Sequence, residues 1–111
     1  MTEDQLQQQI VTYFKNNFQI NRTGLIFAVP NGGSRNVLEA KKMKFTGVLS
    51  GVSDLIAIIP KKILFIELKA EKGIQSDNQK DFEVRVNELG FEYYIIRSLE
   101  QFKEMICAQD L

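Results

Sequence analysis

The chain has 111 residues, of which 44% are hydrophobic and 25% charged, with no net charge, no histidine and one cysteine, Cys107. This length fits a single domain, residues 1–111, that can bury a core without staples. The composition excludes an internal disulfide, histidine-based general bases and the usual zinc sites, and no apolar run is long enough to span a membrane.

The lone cysteine and the acidic, polar start, MTEDQLQQQ, argue against a secretory signal and for a cytoplasmic setting. Any metal must then be hard and oxygen-ligated, which favours Mg²⁺ or Mn²⁺. The zero net charge hides a segregation. Residues 15–72 carry ten basic and four acidic side chains, whereas residues 73–111 carry four basic and eight acidic ones. A basic middle between acidic ends can form one basic face suited to nucleic acid, or can be an ordinary solvated surface.

In chain order, the first helix is expected from Glu3 to about Phe18. Its start, Thr2-Glu3-Asp4-Gln5, has the form of a capping box, as do Ser76-Asp77-Asn78-Gln79 and Ser98-Leu99-Glu100-Gln101 further on. Helical spacing puts Leu6, Ile10, Val11, Tyr13, Phe14 and Phe18 on one apolar stripe. Glu3 lies in line with the middle of that stripe, with Gln7 on the same side, while Asp4 points away. Such a glutamate is either a helix-terminus charge or a carboxylate delivered to a site. Leu25 to Val29 reads as a strand ended by Pro30, and Pro30-Asn31-Gly32-Gly33-Ser34 as a loop. Asn36 to Phe45 reads as a short basic helix, and Gly47 to Gly51 as a second loop.

Ser53–Ile59 and Ile63–Ala70 are apolar, β-branched runs around Pro60-Lys61-Lys62, which predicts a β-hairpin. A helix from Asp77 to about Leu89, ended by Gly90, precedes a strand from Phe91 to Arg97 and a helix from about Leu99 to Cys107. The expected order is α-β-α-β-β-α-β-α, an α/β fold with a central mixed β-sheet flanked by helices.

The hairpin carries the chemistry. Pairing Ile58 with Ile63 places Asp54 directly opposite Glu67, on one sheet face with Cβ atoms roughly 4.5–5.5 Å apart. Lys69, two residues on, projects from that same face. Two carboxylates this close repel unless they share a proton or a cation. Both sit in apolar runs, and a divalent cation would offset the cost of burying them. The bland alternative places Asp54 at a strand mouth and pairs Glu67 with Lys69 on a solvated face. Phe82, Val86 and Leu89 form the stripe of the next helix, with Gln79 on the same side, as a cap, as an amide at the active site, or as both.

These residues, Gly47-Val48-Leu49-Ser50-Gly51-Val52-Ser53-Asp54, then Glu67-Leu68-Lys69, then Ser76 and Gln79, resemble the VRR-Nuc family of the PD-(D/E)-x-K nuclease superfamily. The resemblance extends to Glu3, Gln7 and Pro30-Asn31-Gly32-Gly33, and departs at Ser53, where the family usually has proline. It implies a restriction-endonuclease-like core and a metal site made by Glu3, Asp54, Glu67 and the backbone carbonyl of Leu68. It also implies that Lys69 acts on the attacking water and the phosphate, with Gln79 beside them. Stand-alone phage and bacterial members of this kind are associated with homodimers that cut branched DNA such as four-way (Holliday) junctions. The expected DNA-binding residues are Asn31, Gly32, Gly33, Ser34, Arg35, Lys41, Lys42 and Lys44. The leading expectation is thus a Mg²⁺- or Mn²⁺-dependent, structure-selective endodeoxyribonuclease. The alternatives are a restriction- or transposon-type endonuclease, and a catalytically silent nucleic-acid binding module of the same fold.

Overall fold

The computed structural model describes residues 1–30, 41–42 and 44–109 of the chain. The first helix, α1 (Glu3–Phe14), opens with a reciprocal capping box between Thr2 and Gln5 and continues into a π-helical turn, Lys15–Gln19. The helical path therefore covers the expected span, but its last turn widens: the Ile20 amide reaches back to the Lys15 carbonyl. Strand β1 (Leu25–Ala28) is followed, after a segment of which 31–40 and 43 lie outside the described residues, by β2 (Leu55–Ile59) and β3 (Lys62–Leu68). Helix α2 (Asp77–Glu88), strand β4 (Glu92–Ile96) and helix α3 (Leu99–Cys107) complete the chain. The expected basic helix over 36–45 lies mostly outside the described residues; Lys41, Lys42, Lys44 and Phe45 are helical.

The four strands form one mixed sheet in the order β1-β2-β3-β4. β1, β2 and β3 are antiparallel neighbours, whereas β4 runs parallel to β3 because α2 carries the chain back to the start of the sheet. One face carries Ile26, Leu55, Ala57, Ile59, Leu64, Ile66, Leu68 and Ile96, all buried. It packs against Leu6, Ile10 and Phe14 of α1 and Phe102, Met105 and Ile106 of α3. The opposite face packs on α2 through Phe82, whose ring meets Phe65 and Tyr93 edge-on at 5.6 and 6.1 Å.

Two details differ from the sequence reading. Leu89, assigned to the apolar stripe of α2, is 75% exposed, because the helix ends at Glu88 and Leu89 serves as its C-cap. The third capping motif is not reciprocal. Ser98 accepts from the Gln101 amide, but Gln101 reaches past Ser98 to accept from Arg97 N–H at 2.7 Å.

The hairpin between β2 and β3 turns in two residues, since Ile59 pairs with Lys62. Pro60 cannot take a positive φ, so the left-handed conformation falls on Lys61, at φ 63°. A side chain there costs about 1–2 kcal/mol, partly balanced by the greater unfolded-state entropy of glycine. Lys61→Gly is therefore expected to stabilise the protein by up to ~1 kcal/mol, read as a higher urea midpoint; a lower midpoint would show that the Lys61 side chain contributes more than its strain costs.

Candidate active site

The observed register of β2 on β3 is the expected one: Ile58 pairs with Ile63 and Leu55 with Ile66. One step beyond Leu55, Asp54 stands opposite Glu67 at the mouth of the hairpin. Its carbonyl accepts the Val29 amide at 2.8 Å, which ties it to the end of β1. Its carboxylate Oδ2 accepts the Leu68 amide at 2.8 Å, which ties it to β3. Ser53, at the family's usual proline position, is fully buried and donates its hydroxyl to the Leu55 carbonyl.

The loop leading to Asp54 docks against the start of α2. Asn78 donates to the Ser50 hydroxyl at 2.9 Å. Gly51 has a positive φ of 90°, and a Cβ there would collide with the Asn78 backbone carbonyl. Next to Asn78, Gln79 caps α2 and also reaches Glu67. Its Oε1 accepts the Ser76 amide in the capping box, which leaves its Nε2 to donate to Glu67 Oε2 at 3.0 Å. The cap thereby fixes which end of the amide faces the carboxylate.

Glu67 is 1% exposed. Lys69 Nζ lies 3.6 Å from the same Oε2, with its side chain nearly as buried. The other oxygen, Oε1, is buried with no hydrogen-bond partner among the described residues. Burial, then the facing Asp54 carboxylate, push Glu67 up from 4.5 to about 8, against the opposing pull of Lys69. In its neutral form Glu67 can donate to Asp54; once ionised, the two carboxylates repel. Tyr93 lies behind them, pushed up to about 12 chiefly by burial, and so stays neutral. Its hydroxyl accepts from Gln75, whose amide also donates to Glu83.

Several of these partners carry no signal in the sequence. The C-terminal ends of β3 and β4 lie side by side, so Ile96 accepts the Lys69 amide. Arg97 Nη1 donates to the carbonyls of Ala70 and Gly73 at 2.9 and 2.8 Å, closing the turn that follows Lys69. Only the parallel pairing of β4 with β3 brings these segments together; Arg97 is marked locally by nothing beyond following a strand.

The structure brings together Asp54, Glu67, Lys69 and Gln79, with the backbone of Leu68, but it does not bring Glu3 to them. Among the described residues, no three Asp, Glu, Cys or His side chains are grouped closely enough to hold a metal ion. Glu3 is exposed in the first turn of α1, and burial of the stripe begins one turn later, at Leu6. Lys41, Lys42 and Lys44 are exposed, while Asn31, Gly32, Gly33, Ser34 and Arg35 lie outside the described residues.

The family model of the VRR-NUC domain matches residues 1–100. The chain belongs to the VRR-NUC domain family. VRR-NUC is a nuclease-family domain, and the fold is shared with solved members. One, described as a VRR_NUC domain protein, superposes with a TM-score of 0.75 at 23% identity, over 96% of this chain and 86% of that one. Another, described as a VRR_NUC domain, gives 0.67 at 22% identity, over 96% and 95%. No curated protein matches the sequence. No helix among the described residues is long and apolar enough to cross a membrane.

The Glu67 shift makes stability pH-dependent in the metal-free protein. Below about pH 4.5 the folded and unfolded chains both hold the proton; between about 4.5 and about 8 only the folded chain does. Stability is therefore expected to fall with rising pH across that window, by up to ~1.4 kcal/mol per pH unit, and to level off above it. Glu67→Gln should flatten this slope and raise the melting temperature at pH 8; a wild-type slope in that variant would mean another group titrates. Asp54→Ala is the less clean partner, because it also orphans the Leu68 amide, so the stability gain expected from relieving repulsion is offset there.

Proposed function

We propose that this VRR-NUC domain is a Mg²⁺- or Mn²⁺-dependent endodeoxyribonuclease that hydrolyses phosphodiester bonds in branched DNA, four-way junctions included, and works as a homodimer. The observation that carries the reading is Glu67 set against Asp54, with its buried Oε1 without a hydrogen-bond partner among the described residues. A carboxylate held this way fits a hard divalent cation, since the donors available are all oxygens. The cation would be held by Asp54, Glu67 and the Leu68 carbonyl, with Glu3 delivered from the start of α1 when DNA is bound. When bound, it supplies Lewis acidity toward the phosphate and lowers the pKa of a coordinated water.

The chain's own residues divide the remaining work. Lys69, held beside Glu67, orients the attacking water and offsets negative charge developing on the phosphate. Gln79 fixes the Glu67 carboxylate by donating to Oε2, which keeps Oε1 uncommitted among the described residues. The Leu68 amide holds one Asp54 oxygen in place. Lys41, Lys42 and Lys44, with the loop from Asn31 to Arg35, supply the contacts to DNA phosphates.

Metal-dependent cleavage of a labelled four-way junction, compared with linear duplex, tests the reading. Asp54→Ala, Glu67→Ala and Lys69→Ala are each expected to lose at least about 100-fold in rate. Glu3→Gln is expected to lose less, and most at limiting Mg²⁺. Full activity in any of the first three purified variants would remove that residue from the mechanism. Binding of the junction without cleavage under any divalent metal would favour the silent binding module.

The dimer has its own support. Leu25, Phe27 and Ile58 are 39–46% exposed on the sheet face that carries Asp54, and Phe45 is almost fully exposed. An apolar face of this kind suits a subunit interface, which resembles a core cut in half. Symmetric cutting of a junction needs two sites, and a two-fold pair of chains supplies them. Sedimentation at micromolar concentration should show a dimer, and a monomer would refute it. Heterodimers of wild-type and Asp54→Ala chains should nick a junction once without resolving it; paired cuts from such a single-site species would overturn the two-site model.

A further inference from the structure

A cavity of about 650 Å³ opens beside Lys69, between the start of α1, the turn after β3 and the start of α3. Its walls are of two kinds. Leu6, Ala70 and Leu99 are apolar, while Lys69 and Arg97 are cationic. Glu71 and Glu100 also line it, but both are exposed, and Glu100 lies 4.0 Å from Lys103. We infer that this cavity receives one unstacked nucleotide of the DNA strand, next to the phosphate that is cut. This assignment rests on the nuclease reading above and names a substrate element that sets its selectivity.

Three observations support it. The volume lies within the range of about 300–1,000 Å³ typical of small-molecule sites. Lys69 belongs to both the carboxylate cluster and the cavity, with its Nζ beside Glu67 and the residue itself in the cavity wall, so a strand that leaves the carboxylates around the end of β3 reaches the cavity mouth. Arg97 has Nη1 committed to backbone carbonyls, which holds its guanidinium plane in place as a platform on which a base can stack. A base in continuous duplex must leave its stack to enter, at a cost that falls where stacking or pairing is already disrupted. A branch point interrupts the continuous stack and so lowers that cost relative to linear duplex, which links the cavity's shape to a preference for branched DNA.

The test combines a changed substrate with a changed cavity. Branched DNA carries an abasic analogue on either side of the scissile phosphate, and kcat/KM is measured with the wild-type protein and with Gln9→Trp, which places an indole in the cavity from the exposed side of α1. The abasic residue on one side, and not the other, is expected to lower wild-type kcat/KM about tenfold. Gln9→Trp should lower cleavage of the intact substrate by a similar factor, with no further loss on the abasic one. Multiplying losses, or indifference to the abasic residue on both sides, would overturn the inference. The wild-type comparison stands even if Gln9→Trp fails to fold. A melting-temperature rise with deoxynucleoside monophosphate alone, absent in Gln9→Trp, would instead assign the cavity to free nucleotide and overturn the strand reading. Wild-type protein that cuts no DNA would overturn the nuclease reading along with this one, whereas wild-type protein that cuts but ignores the abasic residue overturns this one alone.

Discussion

Glu67 sits in the middle of an apolar run, 1% exposed, and faces a second carboxylate across the hairpin. Burying a charge without full compensation is among the more expensive things a small domain can do. The surroundings only partly offset it. One oxygen receives Gln79 and lies near Lys69, while the other has no hydrogen-bond partner among the described residues, and the group is held well above the usual carboxylate range. This arrangement depends on register. A slip of one residue between β2 and β3 would turn Asp54 to the face occupied by Leu64 and Ile66, and the pair would vanish.

The carboxylate pair is framed from two directions. From one side, α2 begins at a cap whose Gln79 is both the capping residue and the hydrogen-bond donor to Glu67, and whose Asn78 holds the loop leading to Asp54. From the other, the parallel strand β4 ends beside β3, where Ile96 and Arg97 hold Lys69 and its following turn. Helix-capping and strand-pairing bonds, which any fold of this class needs, thus also set the orientation of the candidate catalytic groups. The candidate site adds few parts to the scaffold; it re-uses those that end its elements.

The two faces of the sheet are unequal. One is closed by α1 and α3 into the main core. The other is packed by α2 through Phe82 over Phe65 and Tyr93, while Leu25, Phe27 and Ile58 stay partly exposed on it. The carboxylates lie on this second face. That asymmetry leaves room for DNA and for a second chain to approach the same side, which is why the proposed substrate and the proposed partner belong to one picture.

The periodicities and punctuation of the chain were enough for most of the elements. Two continuous apolar, β-branched runs around Pro60-Lys61 marked the hairpin, and pairing Ile58 with Ile63 across it put Asp54, Glu67 and Lys69 on one face. Helical spacing determined the buried stripe of α1, and Ser76 with Gln79 determined where α2 begins. These are local signals, carried by residues a few positions apart. Tertiary structure alone decided the rest. Pairing β4 parallel to β3 depends on how α2 packs, and it is this pairing that brings Ile96 and Arg97 to the turn after Lys69. The depth at which α1 meets the sheet leaves Glu3 exposed although it lies in line with the buried stripe, because a helical wheel gives direction around the axis and not position along it. The raised pKa of Glu67 was likewise beyond the sequence, since it arises from desolvation by residues of separate elements and from the Asp54 carboxylate across the hairpin.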